Sequence, residues 1–473
     1  MVTYDFTKHK KGKNKMKLKW IYTARDTGER FAEKALSPVK GGEDFRLFVF
    51  PGKERQKIYG FGGAFTDTAA MALFRMEESI RKKAVAAYFD PENGLGYNMG
   101  RVPIGCCDFS SVPYSHAEVP QDRALSHYSI AQDKKGILPL IHMAKELGEK
   151  RKEPEELLLY ALPWSPPGWM KSNGEMSWGG KLLPDYYGTM ADYLIRFIRS
   201  YEKEGVSLWG LAAQNEPVEV QRWASCEYTG EEEGHFLAEY LIPALEKAGY
   251  GDIKLLCWDC NKDFMRNRAR ELLADDRLRN KIFGVAFHWY SGDYFEELQK
   301  THEEFPEISL LATESCVVMP ENLADWSAGE RYGHEIIGDL NSWTCAYLDW
   351  NLFLDQNSGP GIADNPCAAP VILDNSKQEM IKMSSYYYIG HFSRYIRRGA
   401  AALERQMEGE RTEIGPEGCA FRNPDGSLIV VLMNRQDAPL RGTVMIEGEA
   451  VQLFMDPHSI GTLLVEGQNK IRK

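Results

Sequence analysis

Long apolar runs are missing from this sequence, and none reaches the roughly 18 residues that a membrane-spanning helix requires. No secretory leader is visible either, because the basic stretch Lys8–Lys19 is followed by polar residues and not by an apolar segment. We therefore expect no integral membrane segment. We expect a cytoplasmic location, or a secreted protein if a leader peptide has been removed.

Positive charge is also scarce. The chain has 57 Lys and Arg against 68 Asp and Glu, which gives a formal net charge of -11. This balance excludes nucleic acid as the main partner, because phosphate binding depends on Lys and Arg. The sequence gives no indication of an oligomeric state.

The sequence has few features that would bind a metal or a cofactor. Nine cysteines, an odd number, are scattered along 473 residues, a pattern typical of reduced and buried thiols. The one CxxC, Cys257–Cys260, has no second pair and lies on a predicted strand, where residues three apart point to opposite faces. HExxH, GxGxxG and GxxxxGK[ST] motifs are absent. We expect no metal and no cofactor.

What the sequence does contain is a regular alternation of apolar strand-like runs and amphipathic helical stretches such as Tyr186–Lys203 and Gly234–Ala248. Eight runs predict strands, namely Lys57–Phe65, Asn98–Gly105, Leu157–Ser165, Leu208–Glu216, Ile253–Cys260, Ile282–Tyr290, Ile308–Ser315 and Thr344–Leu352. Apolar strands separated by helices indicate a parallel sheet covered by helices. Eight such units in about 300 residues predict a (β/α)8 TIM barrel. A doubly wound sheet is the alternative.

The two ends of the chain have a different pattern. Short strand candidates separated by turn residues predict a small antiparallel β-sandwich near the C-terminus, at Cys419–Arg422, Ser427–Met433, Gly442–Ile446 and Val451–Phe454. Lys17–Thr23 and Phe45–Phe50 are candidates for additional strands. We thus predict a catalytic barrel over 51–385, a side domain built from 17–50 and 386–473, and a basic, flexible tail over 1–16.

Two glutamates end predicted strands four and seven. Strand four ends with Gln214-Asn215-Glu216-Pro217, and strand seven ends with Thr313-Glu314-Ser315. The active site of a TIM barrel lies at the C-terminal ends of its strands, so both carboxylates are expected at one rim. Two carboxylates across a cleft are the minimal set for hydrolysis of a glycosidic bond. The alternative for either residue is a solvated surface position or a helix cap.

Other strand ends supply residue types that suit a sugar site. Asp108 follows strand two and has oxygens that accept hydrogen bonds from neighbouring hydroxyls. Trp164 and Trp350 offer flat apolar faces for a pyranose ring. Arg101 beside a glutamate would favour its ionised form, although a buried structural ion pair is an equal alternative. A lone histidine such as His288 is more often a satisfied core residue or a supporting residue than a ligand.

At these positions the chain resembles glycoside hydrolase family 30, in particular its glucosylceramidase-like branch of clan A retaining β-glycosidases. The resemblance covers about residues 55–400 and rests on a set of segments in the order of the family. These are Gly60–Ala70, Arg101–Ser110, Pro163–Lys171, Ala213–Pro217, His288–Tyr290, Ala312–Cys316 and Asp349–Leu352.

The resemblance implies a (β/α)8 barrel with a β-sandwich side domain and a retaining mechanism. It makes Glu216 the general acid/base and Glu314 the nucleophile. It also implies two groups of surrounding residues: sugar contacts from Asp108, Trp164, Asn215 and Trp350, and Arg101, His288 and Tyr290 around the nucleophile. Asn215 would bond to the 2-hydroxyl of the sugar.

The expected function is hydrolysis of terminal β-linked glucose through a covalent glycosyl-enzyme, with a β-glucoside or related β-glycoside as substrate. One segment differs from the animal lysosomal enzymes: Val218–Tyr228 directly follows the expected acid/base, on the side of the leaving group. An endo-β-1,6-glucanase or a β-xylosidase of the same family is the alternative. A non-catalytic carbohydrate-binding protein is more remote, because both glutamates are present.

Overall fold

The computed structural model of the protein describes residues 17–36, 42–149, 155–409 and 414–466. The basic tail predicted for 1–16 lies outside these described residues. The chain forms two compact units. One comprises the chain up to Gly60, Asn322–Cys345 and the chain from Lys382 onward, and the other comprises Phe61–Glu321 and Ala346–Ile381.

Eight strands close into a barrel, which confirms the predicted (β/α)8 fold. In chain order they are β1 (Gly60–Ala64), β2 (Met99–Ile104), β3 (Leu158–Pro163), β4 (Gly210–Ala212), β5 (Lys254–Asn261), β6 (Ile282–His288), β7 (Ser309–Glu314) and β8 (Thr344–Asn351). Parallel ladders join consecutive strands from β1 to β7. Strand four is shorter than predicted, and Glu216 lies in the turn that follows it.

The glycine-rich sequence of β1 has a steric cause. A Cβ atom at Gly62 would overlap the carbonyl oxygen of Met99 on the adjacent strand. Only glycine therefore allows β1 and β2 to approach each other at this point of the barrel wall. All six residues of β2 are buried, including Arg101, which the barrel interior consequently has to neutralise.

Helices connect the barrel strands, and their apolar faces account for the amphipathic stretches in the sequence. The α-helices of this unit are Asp67–Phe74, Glu78–Phe89, Ile137–Gly148, Tyr187–Lys203, Gly230–Phe236, Ile242–Ala248, Met265–Leu273, Asp276–Arg279 and Phe295–Glu304. The predicted helix Gly234–Ala248 begins earlier, at Gly230, because Thr229 and Glu232 form a reciprocal capping box. Among the described residues, no helix has the length and apolar character needed to cross a membrane.

The other unit contains a nine-stranded sheet built from both ends of the chain. Its strands, in spatial order, are Ala32–Lys34, Leu18–Ala24, Ser459–Val465, Leu428–Asn434, Glu417–Arg422, Ala401–Gly409, Phe45–Lys57, Leu440–Ile446 and Glu449–Met455. Trp20, Phe45, Val430 and Leu463 belong to its apolar core. The predicted β-sandwich side domain, with strands from both chain ends, is thus confirmed as part of the fold class. The helices Ser327–Asn341 and Ser384–Ser393 also belong to this unit.

Candidate active site

The C-terminal ends of the barrel strands surround a cleft of about 350 Å³. This volume lies at the small end of the range for ligand sites. The lining includes six of the residues predicted from the sequence: Asp108, Trp164, Glu216, Tyr290, Glu314 and Trp350. The strand ends therefore place together side chains that are up to about 240 positions apart in the sequence.

Glu314 ends β7 and is held from two sides. Arg101 on β2 donates through Nη1 to Oε2 of Glu314. The hydroxyl of Tyr290 donates to Oε1 at 2.9 Å. One of the two oxygens is thus paired with a cation and the other accepts from a neutral donor, an arrangement that fixes the orientation of the carboxylate.

Glu216 lies in the turn after β4 with a backbone φ of 45°, in the left-handed region that side chains rarely adopt. Its N–H donates to the carbonyl oxygen of Asp259 at 3.0 Å, which holds this conformation. One carboxylate oxygen each from Glu216 and Glu314, together with a ring nitrogen of His288, lie within 4.8 Å of one another. This proximity fits the short separation of about 5–5.5 Å between the carboxyl groups of a retaining pair.

Asp259 on β5 connects the charged groups beneath the cleft. Its Oδ2 accepts from Nη2 of Arg101 at 2.6 Å, and its Oδ1 lies 3.4 Å from Nε2 of His288. A bulge interrupts the β5–β6 ladder between Trp258 and Cys260, and both Trp258 and Asp259 have positive φ. Bulges of this kind redirect side chains beside active sites, and here the bulge accompanies the inward position of Asp259.

Burial and charge shift the pKa values of this cluster. Burial alone would raise the pKa of Asp259, but Arg101 and His288 hold it at about 2. Burial would lower the pKa of His288, but Glu314, Asp259 and Glu216 raise it to about 9. Burial raises the pKa of Glu314 above its usual range, while His288 and Arg101 act in the opposite direction. His288 is therefore a cation at neutral pH, and both of its ring nitrogens donate.

Asp108 occupies another part of the cleft lining. Its Oδ2 accepts from Nδ2 of Asn365 at 3.0 Å, whereas its buried Oδ1 has no hydrogen-bond partner among the described residues. Burial, with the nearby charges of Glu314 and Glu216, raises its pKa to about 7. Asp108 lines the cleft, and a buried oxygen without a partner is suited to a hydroxyl donor from a ligand.

The tryptophans pack together in the cleft wall. The rings of Trp164 and Trp350 are stacked, with centroids 5.1 Å apart and an interplanar angle of 20°. The guanidinium of Arg101 lies 4.6 Å from the ring centroid of Trp164 and 5.2 Å from that of Trp350. The aromatic wall thus also covers the buried cation.

Three of the predicted residues lie beneath the cleft and do not line it. Arg101 and His288 are completely buried, and Asn215 is almost so. Oδ1 of Asn215 accepts from Nη2 of Arg101 at 2.6 Å. In the structure these side chains hold one another and the two glutamates in place.

Sequence reasoning missed Asp259, Asn365 and the cysteines Cys316 and Cys367 of the cleft lining. Asp259 lies at the end of a predicted strand, as Glu216 and Glu314 do, so the same strand-end rule could have identified it. The CxxC that contains Asp259 was considered only for its cysteines. Asn365 lies in a long segment after β8 that offers no periodic signal.

The described residues contain one group with the geometry of a metal site, Glu216, His288 and Glu314. The chemistry of these donors does not suit a cation. His288 is protonated and directs its nitrogens to Glu216 and Asp259, and Arg101 already neutralises Glu314. A metal ion would have to displace a proton and a guanidinium, so we derive no step through a metal.

Comparison with known proteins identifies the family of this chain. The Glycosyl hydrolase family 30 TIM-barrel domain matches residues 58–396, and the Glycosyl hydrolase family 30 beta sandwich domain matches residues 409–463. Lysosomal acid glucosylceramidase of Mus musculus is 33% identical over 426 residues, covering 86% of this chain and 81% of the relative.

Two solved structures are similar as well. SrfJ from Salmonella typhimurium has a TM-score of 0.89 at 32% identity, covering 95% of this chain and 100% of the other. The endo-beta1,6-glucanase BT3312 has a TM-score of 0.84 at 25% identity, again covering 95% and 100%. The resemblance seen in the motifs is thus confirmed, and the chain belongs to glycosyl hydrolase family 30, a family of glycoside hydrolases that use the retaining mechanism.

Proposed function

We propose that the protein is a retaining β-glucosidase that removes terminal β-linked glucose, with Glu314 as nucleophile and Glu216 as general acid/base. The observation that carries the proposal is the pairing of these two carboxylates, one at the end of β7 and one in the turn after β4, with oxygens within 4.8 Å. Their different partners give them different roles.

The nucleophile is prepared by its two donors. With Oε2 held by Arg101, Oε1 of Glu314 faces the cleft beside the hydroxyl of Tyr290. Attack of Glu314 on the anomeric carbon forms the glycosyl-enzyme, and the carboxylate charge is then lost. Arg101 stays neutralised by Asp259 at this stage, since both acids share the one guanidinium.

The acid/base depends on His288. Nδ1 of the protonated ring lies 3.1 Å from Oε1 of Glu216 and donates to it. This leaves Oε2 of Glu216 to carry the proton that the leaving oxygen receives in the first step. In the second step the same oxygen takes a proton from the attacking water.

The glucose ring would be held by the groups with free hydrogen-bonding capacity. Oδ1 of Asp108 would accept from hydroxyls remote from the scissile bond, and the face of Trp164 or Trp350 would cover the ring. Asn215 lies beneath the cleft with its Oδ1 engaged by Arg101, so Nδ2 is the atom that would donate from there to the 2-hydroxyl.

An endo-β-1,6-glucanase is the second candidate. It is favoured by the similarity to the glucanase BT3312 and by the cleft residues that follow the acid/base, Glu219, Gln221 and Trp223. An aromatic ring beside polar acceptors suits a second sugar as leaving group.

A substrate panel distinguishes the candidates. It would contain 4-nitrophenyl β-glucoside and β-xyloside, β-linked glucose disaccharides, glucosylceramide and β-1,6-glucan. For the β-glucosidase we expect the glucoside to be cleaved far faster than the xyloside, and glucose to be the first product from every natural substrate. Oligosaccharides that appear from β-1,6-glucan before glucose would establish the second candidate.

A further inference from the structure

Two cysteines touch each other in the cleft lining, close to the nucleophile. The Sγ atoms of Cys316 and Cys367 lie 2.9 Å apart, and both residues line the cleft. All nine cysteines belong to the described residues and are free thiols; of these, Cys316 alone is not buried. This pair therefore differs from the isolated core thiols in both contact and access.

The backbone keeps the two thiols together. Val317–Val318 and Cys367–Ala368 form a short antiparallel ladder in which Val318 is opposite Cys367. Side chains alternate between the faces of a strand, so Cys316 shares a face with Val318 and hence with Cys367. Since a disulfide needs about 2.05 Å between its sulfurs, a small side-chain rotation is enough to join this pair.

Each thiol also contacts a different part of the site. Sγ of Cys316 lies 3.5 Å from the Tyr290 hydroxyl, which donates to Glu314. Sγ of Cys367 lies 3.6 Å from Oδ1 of Asn365, whose amide donates to Asp108. A disulfide between the sulfurs would thus displace both Tyr290, which contacts the nucleophile, and Asn365, which contacts Asp108.

We propose that Cys316 and Cys367 form a reversible redox site, at which a hydroperoxide converts the two thiols into a disulfide and thereby switches off the glycosidase. The thiolate of Cys316 attacks one peroxide oxygen, the O–O bond breaks, and a sulfenic acid and water (or an alcohol) form. The thiolate of Cys367 then attacks the sulfenic sulfur, the S–O bond breaks, and a second water leaves. Two thiols are oxidised and one peroxide is reduced.

The reduced pair is stable until an oxidant arrives. Contact with Cys367 raises the pKa of Cys316, so Cys316 is mostly in the thiol form at neutral pH. Oxidation is therefore slower than for an activated thiolate. Because the cleft is the route by which a small peroxide reaches Cys316, the site responds to oxidants of low molecular mass.

The first experiment uses the full chain and needs no substitution. The protein is incubated with hydrogen peroxide, its free thiols are alkylated, and its peptides are mapped by mass spectrometry beside an activity assay. We expect a peptide linked through Cys316 and Cys367, and a fall in kcat/KM of at least about ten-fold, because small displacements near reacting atoms cost up to about 100-fold. Dithiothreitol should restore both thiols and the activity.

Two results would overturn the proposal: loss of activity without this disulfide, or formation of this disulfide without loss of activity. The proposal would also be overturned if, after treatment with peroxide, both cysteines were still free to be alkylated and the activity was fully retained. Mapping of the disulfide requires no substrate, so its outcome is independent of whether glucose is the sugar that the enzyme removes.

Variants test the order of the two steps. In Cys367→Ala, peroxide should leave a sulfenic acid at Cys316 that dimedone traps, whereas the wild type should escape labelling because Cys367 resolves it. In Cys316→Ala, activity with and without peroxide should be equal. Cys419→Ala, a substitution of a buried thiol in the nine-stranded sheet, is the control and should respond like the wild type. Equal dimedone labelling of the wild type and Cys367→Ala would contradict the resolving role.

Discussion

Nδ1 of His288 lies 3.1 Å from Oε1 of Glu216, and this contact joins a completely buried imidazole to the carboxylate in the turn after β4. On its other side, Nε2 of the ring lies 3.4 Å from Oδ1 of Asp259. The ring is therefore a bridge between two carboxylates and keeps its charge despite burial. Such a bridge has a consequence for stability as a function of pH.

Wild-type stability should fall as pH rises from about 6.5 to about 9. The pKa of His288 is raised from 6.5 to about 9 in the folded protein, so its contribution is complete below 6.5 and is lost as pH rises through 9. A shift of this size corresponds to about 3 kcal/mol. Urea unfolding at a series of pH values measures it, and His288→Gln should lack this component.

His391 provides the matched control for this measurement. It is equally buried, but its ring lies between the hydroxyls of Thr23 and Thr462, and burial lowers its pKa to about 3. His391 is neutral throughout the pH range of about 6.5 to 9, so it contributes nothing to the loss. The stability of His391→Asn should therefore fall by the same amount as that of the wild type when pH is raised over this range. If the stability of His288→Gln depended on pH in the same way as that of the wild type, His288 would have to be neutral in the folded protein.

Replacement of Glu314 by Gln should reduce kcat by a factor on the order of 10⁴ or more, because the covalent intermediate can no longer form. The fold should persist, since Arg101 retains Asp259 as its partner. Steady-state rates with an aryl β-glucoside test this. Glu307→Gln, in the exposed turn before β7, is the control and should keep the wild-type rate. Near-normal turnover by Glu314→Gln would refute the assignment.

Glu216→Ala should show a rate loss that depends on the leaving group. For poor leaving groups we expect a loss of about 10²–10⁴-fold, because these need protonation, and a much smaller loss for activated aryl glycosides. Azide should accelerate the variant and yield a β-glycosyl azide by attack on the glycosyl-enzyme. Product analysis by NMR distinguishes this from an α-azide, which would indicate that no double displacement takes place.

The sequence predicted most of the barrel because its strands and helices have strong periodic patterns. The position of Glu216 and Glu314 also followed, since strand ends share one rim in this fold. The bulges were not visible in the sequence. The ladder shifts between Trp258 and Cys260 on β5 and between Ala312 and Glu314 on β7, and a shift of one residue changes the face on which a side chain lies.

Long-range polar contacts were the second limit. Asn365 reaches Asp108 from a segment 257 positions away, and no local pattern reports such a pairing. The same holds for the contact between Cys316 and Cys367, which depends on a ladder of only two residue pairs. Hydrophobic periodicity reveals which face of an element is buried, but it does not reveal which buried polar groups meet.

Asp108→Asn should lower kcat/KM without lowering the stability of the fold. The proposed hydrogen bond from a glucose hydroxyl to Oδ1 of Asp108 is charge-assisted, and its loss should cost about 1.5–3 kcal/mol, or about ten- to a hundred-fold. The stability of the folded Asp108→Asn protein should not fall. Burial and the two glutamates raise the pKa of Asp108 to about 7, so its ionised form destabilises the folded state increasingly as pH rises from about 4 to 7.

A neutral amide removes that penalty while it keeps the size of the side chain. At pH 8 the thermal midpoint of Asp108→Asn should therefore equal or exceed that of the wild type, even though kcat/KM for an aryl β-glucoside is reduced. Asp252→Asn, an exposed position before β5, is the control and should change neither quantity. If Asp108 served only to secure its loop through Asn365, the variant would melt earlier and its residual kcat/KM would recover at lower temperature. A parallel loss of both quantities would therefore remove Asp108 from the glucose site.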